Sequence, residues 1–229
     1  MHCFPKEPKE QYLAGINTLY VKHKAFRRFG LSNYSAEQVQ EVYDYCKEQG
    51  YVLPTVYQGI YNPVAREYES TLFPTLRKLG MAFYAYSALA GGFLTKTKQE
   101  VLDGKGRFDP NTPIGKIHRG IYAKPKYLDV LEKWDEAANL EGVSKAQLAY
   151  RWVAHNSALR AEYGDAIIIG ASRPEQVVQA LEGLKEGKIG EKAVSLVEEM
   201  WAKVDEEPPL DIAVWAGSQS RPDLAGKLQ

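Results

Sequence analysis

Phe29-Gly30-Leu31-Ser32-Asn33-Tyr34-Ser35-Ala36-Glu37-Gln38-Val39, with Arg28 before it, is the stretch on which the reading of this chain turns. The apolar run Phe29–Leu31 is short and bounded by polar residues, which suits a buried strand ending at Ser32 and Asn33. Ser35 followed three residues later by Gln38 is a capping box, so a helix begins at once. Val39, Val42 and Tyr43 recur at helical spacing, and Gly50 supplies the stop. The unit is strand, polar turn, helix.

The same order recurs three times. Leu53–Gln58 reads as a second strand, with its helix over 68–80 ending at Gly80; Met81–Ser87 reads as a third. Ala166–Gly170 is the fourth, and Ser172 with Glu175 predicts another capping box ahead of a helix over 175–187. Residues 93–123, rich in Gly, Pro, Lys and Asp, read as an extended loop of the functional kind. Helices are predicted over 126–142, over 144–157 from a Ser cap, and over 191–207, where Pro208 and Pro209 stop the last and leave a tail over 208–229. Strands alternating with helices imply an α/β fold with a parallel sheet, within one domain spanning 1–229.

Composition narrows the function. The 229 residues carry 29 basic and 29 acidic side chains and no long basic block, which argues against nucleic acid as a partner. With 45% apolar residues, 4 Trp, 15 Tyr and 7 Phe, the chain can bury a sizeable core, which excludes wholesale disorder. Cys3 and Cys46 fit neither a disulfide framework nor a zinc spacing. The Pro and charges of the first 13 residues do not suit a secretory signal, and no run approaches the ~18 apolar residues of a membrane span. The expectation is a cytoplasmic protein with no membrane partner.

In parallel α/β folds the working residues lie past the carboxyl ends of the strands. Here those ends carry Ser32-Asn33, Tyr57-Gln58, Tyr86-Ser87 before Ala88-Leu89-Ala90-Gly91-Gly92, and Gly170-Ala171-Ser172-Arg173. Amides both donate and accept, a Tyr ring offers a stacking face, Gly91 and Gly92 admit a close phosphate, and Arg173 at a helix start suits an anion. Taken singly, each is as readily a cap, a turn former or a packing residue. Their coincidence at four strand ends points to one ligand with an amide, a ring and a phosphate.

The segments FGLSNYSAEQV, LPTVYQGIYNPVARE, LFPTLRKLGMAFYAYSALAGGFLT and IIIGASRPEQVVQALE resemble the aldo-keto reductases, and in particular the aflatoxin-aldehyde reductase branch with its fungal relatives. The resemblance implies the TIM (β/α)8-barrel family and NADP(H) as cofactor. It implies that Ser32, Asn33 and Gln58 hold the nicotinamide amide and that Tyr86 stacks on the ring. Ser87, Leu89, Ala90, Gly91 and Gly92 would wrap the pyrophosphate, and Gly170, Ser172, Gln176 and Gln179 the adenosine end, with Arg173 at a 2′-phosphate. Three positions depart from the family pattern: Ala88 replaces a Pro, Lys96-Thr97 a Gly-Lys pair, and Ala180 an Asn.

Family catalysis uses a Tyr acid, a Lys–Asp pair and a His, with Asp, Tyr and Lys from the first three strands. The segment resembling the family's fifth strand begins 28 residues after Met1, so the resemblance implies a partial barrel lacking its first three to four strands. His2 is the off-by-one counterpart of the family's His, His118 and Arg119 fall where the family contacts a small carbonyl substrate, and Tyr57 and Tyr61 are the remaining hydroxyl donors. Open sheet edges need cover. The rest of a longer barrel, a second copy in a homodimer, or the tail would supply it. The expected activity is NADPH-dependent reduction of an aldehyde or ketone, within fungal secondary metabolism. The alternatives are an NADP-binding remnant and a redox-silent isomerase or cyclase.

Overall fold

The computed structural model describes residues 9–206. In chain order these form α1 (Lys9–Val21), β1 (Phe29–Leu31), α2 (Ala36–Glu48), β2 (Pro54–Ile60), α3 (Tyr68–Thr71), α4 (Phe73–Leu79) and β3 (Ala82–Tyr86). There follow α5 (Lys98–Leu102), α6 (Pro113–Tyr122), α7 (Pro125–Glu141), α8 (Lys145–Arg151), β4 (Ala166–Ile167), α9 (Pro174–Lys185) and α10 (Glu191–Val204). The sheet runs β1-β2-β3-β4, and β1 pairs in parallel with β2 through Gly30 opposite Val56 and Leu31 opposite Tyr57. This is the expected α/β arrangement. None of the described helices is long and apolar enough to cross a membrane.

Several local expectations change. The stretch 93–123 is not an extended loop: it holds α5, started by a Thr97–Glu100 capping box, and α6, started by Thr112 and Pro113. The helix expected over 68–80 breaks into α3 and α4 at Leu72, where Pro74 removes a donor from the ladder. The Ser172–Glu175 box does not form. Arg173 is the N-cap residue of α9, without a side-chain cap, and Ser172 bonds Gln176 instead. After α8 the chain widens into a single π turn over 152–156. The tail over 208–229 and His2 lie outside the described residues.

The described chain divides into two compact units. The first comprises 9–59, 68–84 and 160–166. Its α2 buries Val39, Val42 and Cys46 on one face, behind the Ser35–Gln38 capping box that the sequence predicts. Tyr57, Tyr68, Phe73 and Phe83 form an aromatic cluster, and a Cβ on Gly59 would come within 2.7 Å of Tyr68 and 2.8 Å of Phe83. Only a bare α-carbon fits there. Asp165, its side chain 1% exposed, accepts two bonds from Arg77 (2.9 and 2.6 Å) and one each from the backbone N–H of Phe83 (2.7 Å) and Arg160 (2.9 Å). Four donors on one carboxylate compensate its burial.

The second unit comprises 60–67, 85–159 and 167–206. α7 packs on α10, and Trp134 of α7 is fully buried, donating its indole N–H to the Leu94 carbonyl (2.7 Å). This bond anchors the segment following β3. α8 packs on α9 at Gly183, where a Cβ would meet Gln147 at 2.9 Å, so the absent side chain sets the helix separation.

Candidate functional site

The second unit contains a cavity of about 760 Å³, within the range of small-molecule sites. It is lined from the segment after β3, from the 3-10 turn Gly106–Phe108, from α6, from α8, and from the β4–α9 connection with the start of α9.

The turn after β3 is the most unusual backbone in the unit. Ser87 (φ 60°), Ala90 (φ 51°), Gly91 (φ 66°) and Gly92 (φ 96°) all take positive φ. For Ser and Ala this costs about 1–2 kcal/mol each, a strain that persists only where surrounding bonds hold it. They do. Ala90 N–H donates to the Ser87 carbonyl (2.8 Å), Gly91 N–H to Ser87 Oγ (3.0 Å), and Gly92 N–H to the Leu89 carbonyl (2.9 Å). Asn62 Nδ2 donates to the Ser87 carbonyl at 3.0 Å. These three N–H groups are therefore spent inside the turn. Gly91 makes room for the His118 ring and Gly92 leaves open space beside the turn, and a ligand's charge must be met by side chains.

Those side chains are Lys96, Arg107 and His118, and among the described residues no carboxylate lines the cavity. A Cβ on Gly106 would lie 3.7 Å from Lys96 Nζ, so the ammonium sits beside the turn that carries Arg107. A wall with two permanent cations and no acid favours an anionic ligand. His118 is 3% exposed; burial, reinforced by Arg107, pushes its pKa below the ordinary 6.5 against the opposing bond to Ile114. Tyr150, also buried, has its pKa raised by burial, with a Gly170 backbone hydrogen bond opposing.

On the β4–α9 side, Gln176 Oε1 accepts from Ser172 N–H (2.9 Å) and Ser172 Oγ (3.2 Å). Its Nε2 donors stay uncommitted on a residue that lines the cavity. Gly170, Ser172, Gln179 and Ala180 line it too.

Of the residues singled out in the sequence, Tyr86, Ser87, Leu89, Gly91, Gly92, Gly170, Ser172, Gln176, Gln179 and His118 come together around this one cavity. Ala90 is fully buried beneath the turn, and Arg173 is exposed outside the lining. Arg119 donates to the Val101 (2.9 Å) and Leu102 (3.2 Å) carbonyls, tying off the end of α5. Ser32, Asn33 and Gln58 belong to the first unit, where Asn33 (φ 60°) donates from Nδ2 to Ser32 Oγ at 3.0 Å and Gln58 is exposed. Tyr57 Oη accepts from the Tyr34 N–H (3.1 Å) and donates to the Tyr34 carbonyl (2.9 Å), a structural tie. Tyr61 Oη accepts from the Ala158 N–H at 3.0 Å. His155 bonds the Leu184 carbonyl, as a structural histidine does. Sequence reading missed Lys96 as a lining residue, Arg107, and the Gln147–Tyr150 pair; the i, i+3 spacing of the last, one face of α8, was the available signal.

The sequence profile of the Aldo/keto reductase family matches residues 3–202. The chain belongs to the aldo/keto reductase family. It is 36% identical over 200 residues to oxidoreductase sirO of Leptosphaeria maculans, covering 87% of this chain and 60% of that protein. Aflatoxin B1 aldehyde reductase member 4 of Homo sapiens is 40% identical over 210 residues, 88% of this chain and 63% of that protein. Aldo-keto reductase pigE of Monascus ruber is 36% identical over 202 residues, 86% of this chain and 59% of that protein. The chain thus spans about 60% of the length of these relatives. Membership implies a TIM-barrel fold.

Proposed function

We propose that the second-unit cavity binds NADP(H) and that this chain serves NADPH-dependent reduction of an aldehyde or ketone, in the cytoplasm and within fungal secondary metabolism. The observation that carries the reading is the cavity itself: a cramped glycine turn whose N–H groups are internally bonded, walled by Lys96 and Arg107 and, among the described residues, free of carboxylates. A dinucleotide's phosphates need both the space and the cations. The human relative, named an aflatoxin B1 aldehyde reductase, supports the substrate class.

In this reading Lys96 and Arg107 neutralise phosphate charge. Gln176 and Gln179 offer amide groups toward the adenosine end, with Ser172 fixing the orientation of Gln176. Tyr86, at the end of β3, presents its ring to the nicotinamide. Once bound, the nicotinamide supplies the hydride. The sheet is that of part of a (β/α)8 barrel.

A second reading, binding without turnover, is favoured by Tyr57 and Tyr61, whose hydroxyls are engaged by the backbone of Tyr34 and of Ala158. Titrating the purified chain with NADPH and then adding an aldehyde panel separates the two. Quenched fluorescence followed by NADPH oxidation supports the reductase; quenching without oxidation supports the second reading; no quenching overturns both.

A further inference from the structure

His118 is almost wholly buried, yet it lines the cavity. Its Nδ1 lies 2.8 Å from the Ile114 carbonyl oxygen. A carbonyl only accepts, so Nδ1 carries a hydrogen, and in the neutral ring Nε2 carries a lone pair alone. Among the described residues nothing bonds Nε2. The Nε2–Cδ2 edge is pressed against the strained turn, for a Cβ on Gly91 would overlap both atoms.

The charged groups around the ring are cationic. Arg107 acts on it from the 3-10 turn, and Lys96 shares the cavity wall. Phe108 contributes an uncharged ring at 5.8 Å, and the Gly91 turn brings no titratable group. On its own helix, Arg119 is turned to the end of α5. The nearby acids are occupied elsewhere: Asp109 accepts from Asn111, and Glu100 from the Thr97 N–H and Lys105. A phosphate oxygen is an acceptor, as neutral Nε2 is. The two can bond only when the ring holds a second proton, and a docked anion between His118 and the cations favours that form.

We propose that His118 is a phosphate-binding residue of this cavity, taking up a proton from solvent as a phosphate group of the dinucleotide docks at the Gly91–Gly92 turn, so that binding is coupled to pH. The inference rests on the proposed function and reassigns His118 from the carbonyl substrate to the cofactor.

The test is calorimetric titration of the full chain with NADP+ at pH 7 in two buffers of different ionisation enthalpy. Wild type is expected to take up roughly one-half to one proton more than His118→Asn, whose amide can still reach Ile114 but places nothing at Nε2. Between pH 8 and pH 6 the affinity of wild type should gain about tenfold relative to that variant. His118→Gln, a neutral donor near the Nε2 position, should lose the uptake while binding within a few-fold of wild type. Independently of any variant, NMR titration of the wild-type His118 ring should show its pKa rising on saturation with NADP+. Equal proton uptake in wild type and His118→Asn, or an unmoved ring pKa, overturns the inference and leaves the proposed function standing. No binding of NADP+ by wild type overturns both.

Discussion

Gly91→Ala tests the packing of the cavity turn at one atom. At φ 66° an alanine is strained by about 1–2 kcal/mol. Its Cβ would also overlap the His118 ring, which must then swing away from Ile114 and Phe108. Losing that hydrogen bond costs about 1 kcal/mol and the ring contact about as much again. The sum is about 3–4 kcal/mol. Urea unfolding followed by tryptophan fluorescence is the assay, since Trp134, Trp152 and Trp201 all lie in the second unit. The decisive step is the double mutant. Once His118→Ala has removed the ring, Gly91→Ala should cost only the strain, giving a coupling of about 1–2 kcal/mol in the favourable direction. Additivity within about 0.5 kcal/mol would refute the reasoning, as would a single-mutant cost below that figure.

Three further outcomes follow from the first unit. Asp165→Ala leaves the Arg77 guanidinium and two backbone N–H groups without their acceptor and should lose about 3–5 kcal/mol in denaturant unfolding; a loss under about 1 kcal/mol contradicts the ion-pair account. Tyr57→Phe removes the hydroxyl that bonds both the N–H and the carbonyl of Tyr34 in the core and should cost about 1–3 kcal/mol, whereas a role as proton donor alone predicts unchanged stability. Burial pushes the Cys46 thiol up to about 11, so folding favours the protonated form. That contribution is whole below the ordinary value near 9 and is lost as pH rises through about 11, so stability should fall by roughly 2–3 kcal/mol across that window and less steeply in Cys46→Ala.

What was legible in the sequence was local. The Ser35–Gln38 capping box and the Ser144 cap formed as read, the latter completed into a box by Gln147, and Gly80 and Gly142 end their helices in the left-handed conformation. Each depends on residues within one turn of each other. The same logic, applied to Thr97–Glu100 and Thr112-Pro113, reveals α5 and α6, but the surrounding Gly, Pro and Lys suggested a loop. The Ser172 reading failed on competition: Pro174 fixes the helix start, and Gln176, two residues into the helix, reaches back to Ser172 before Glu175 can.

The site divides along the same line. Residues flanking the ends of β3 and β4 were visible because strand ends carry function in α/β folds. Lys96 and Arg107 were not, since their meeting in one wall depends on where α5 and the 3-10 turn after it fold. The pairing of His118 with Gly91, 27 positions earlier, is likewise a tertiary fact.

Hydrogen exchange of the full chain with and without NADPH tests the central claim most directly. The account predicts that protection on adding NADPH concentrates in peptides covering 87–96, 106–118, 146–150 and 170–180, segments that line the cavity. Protection confined to other segments, or none at saturating NADPH, would contradict it.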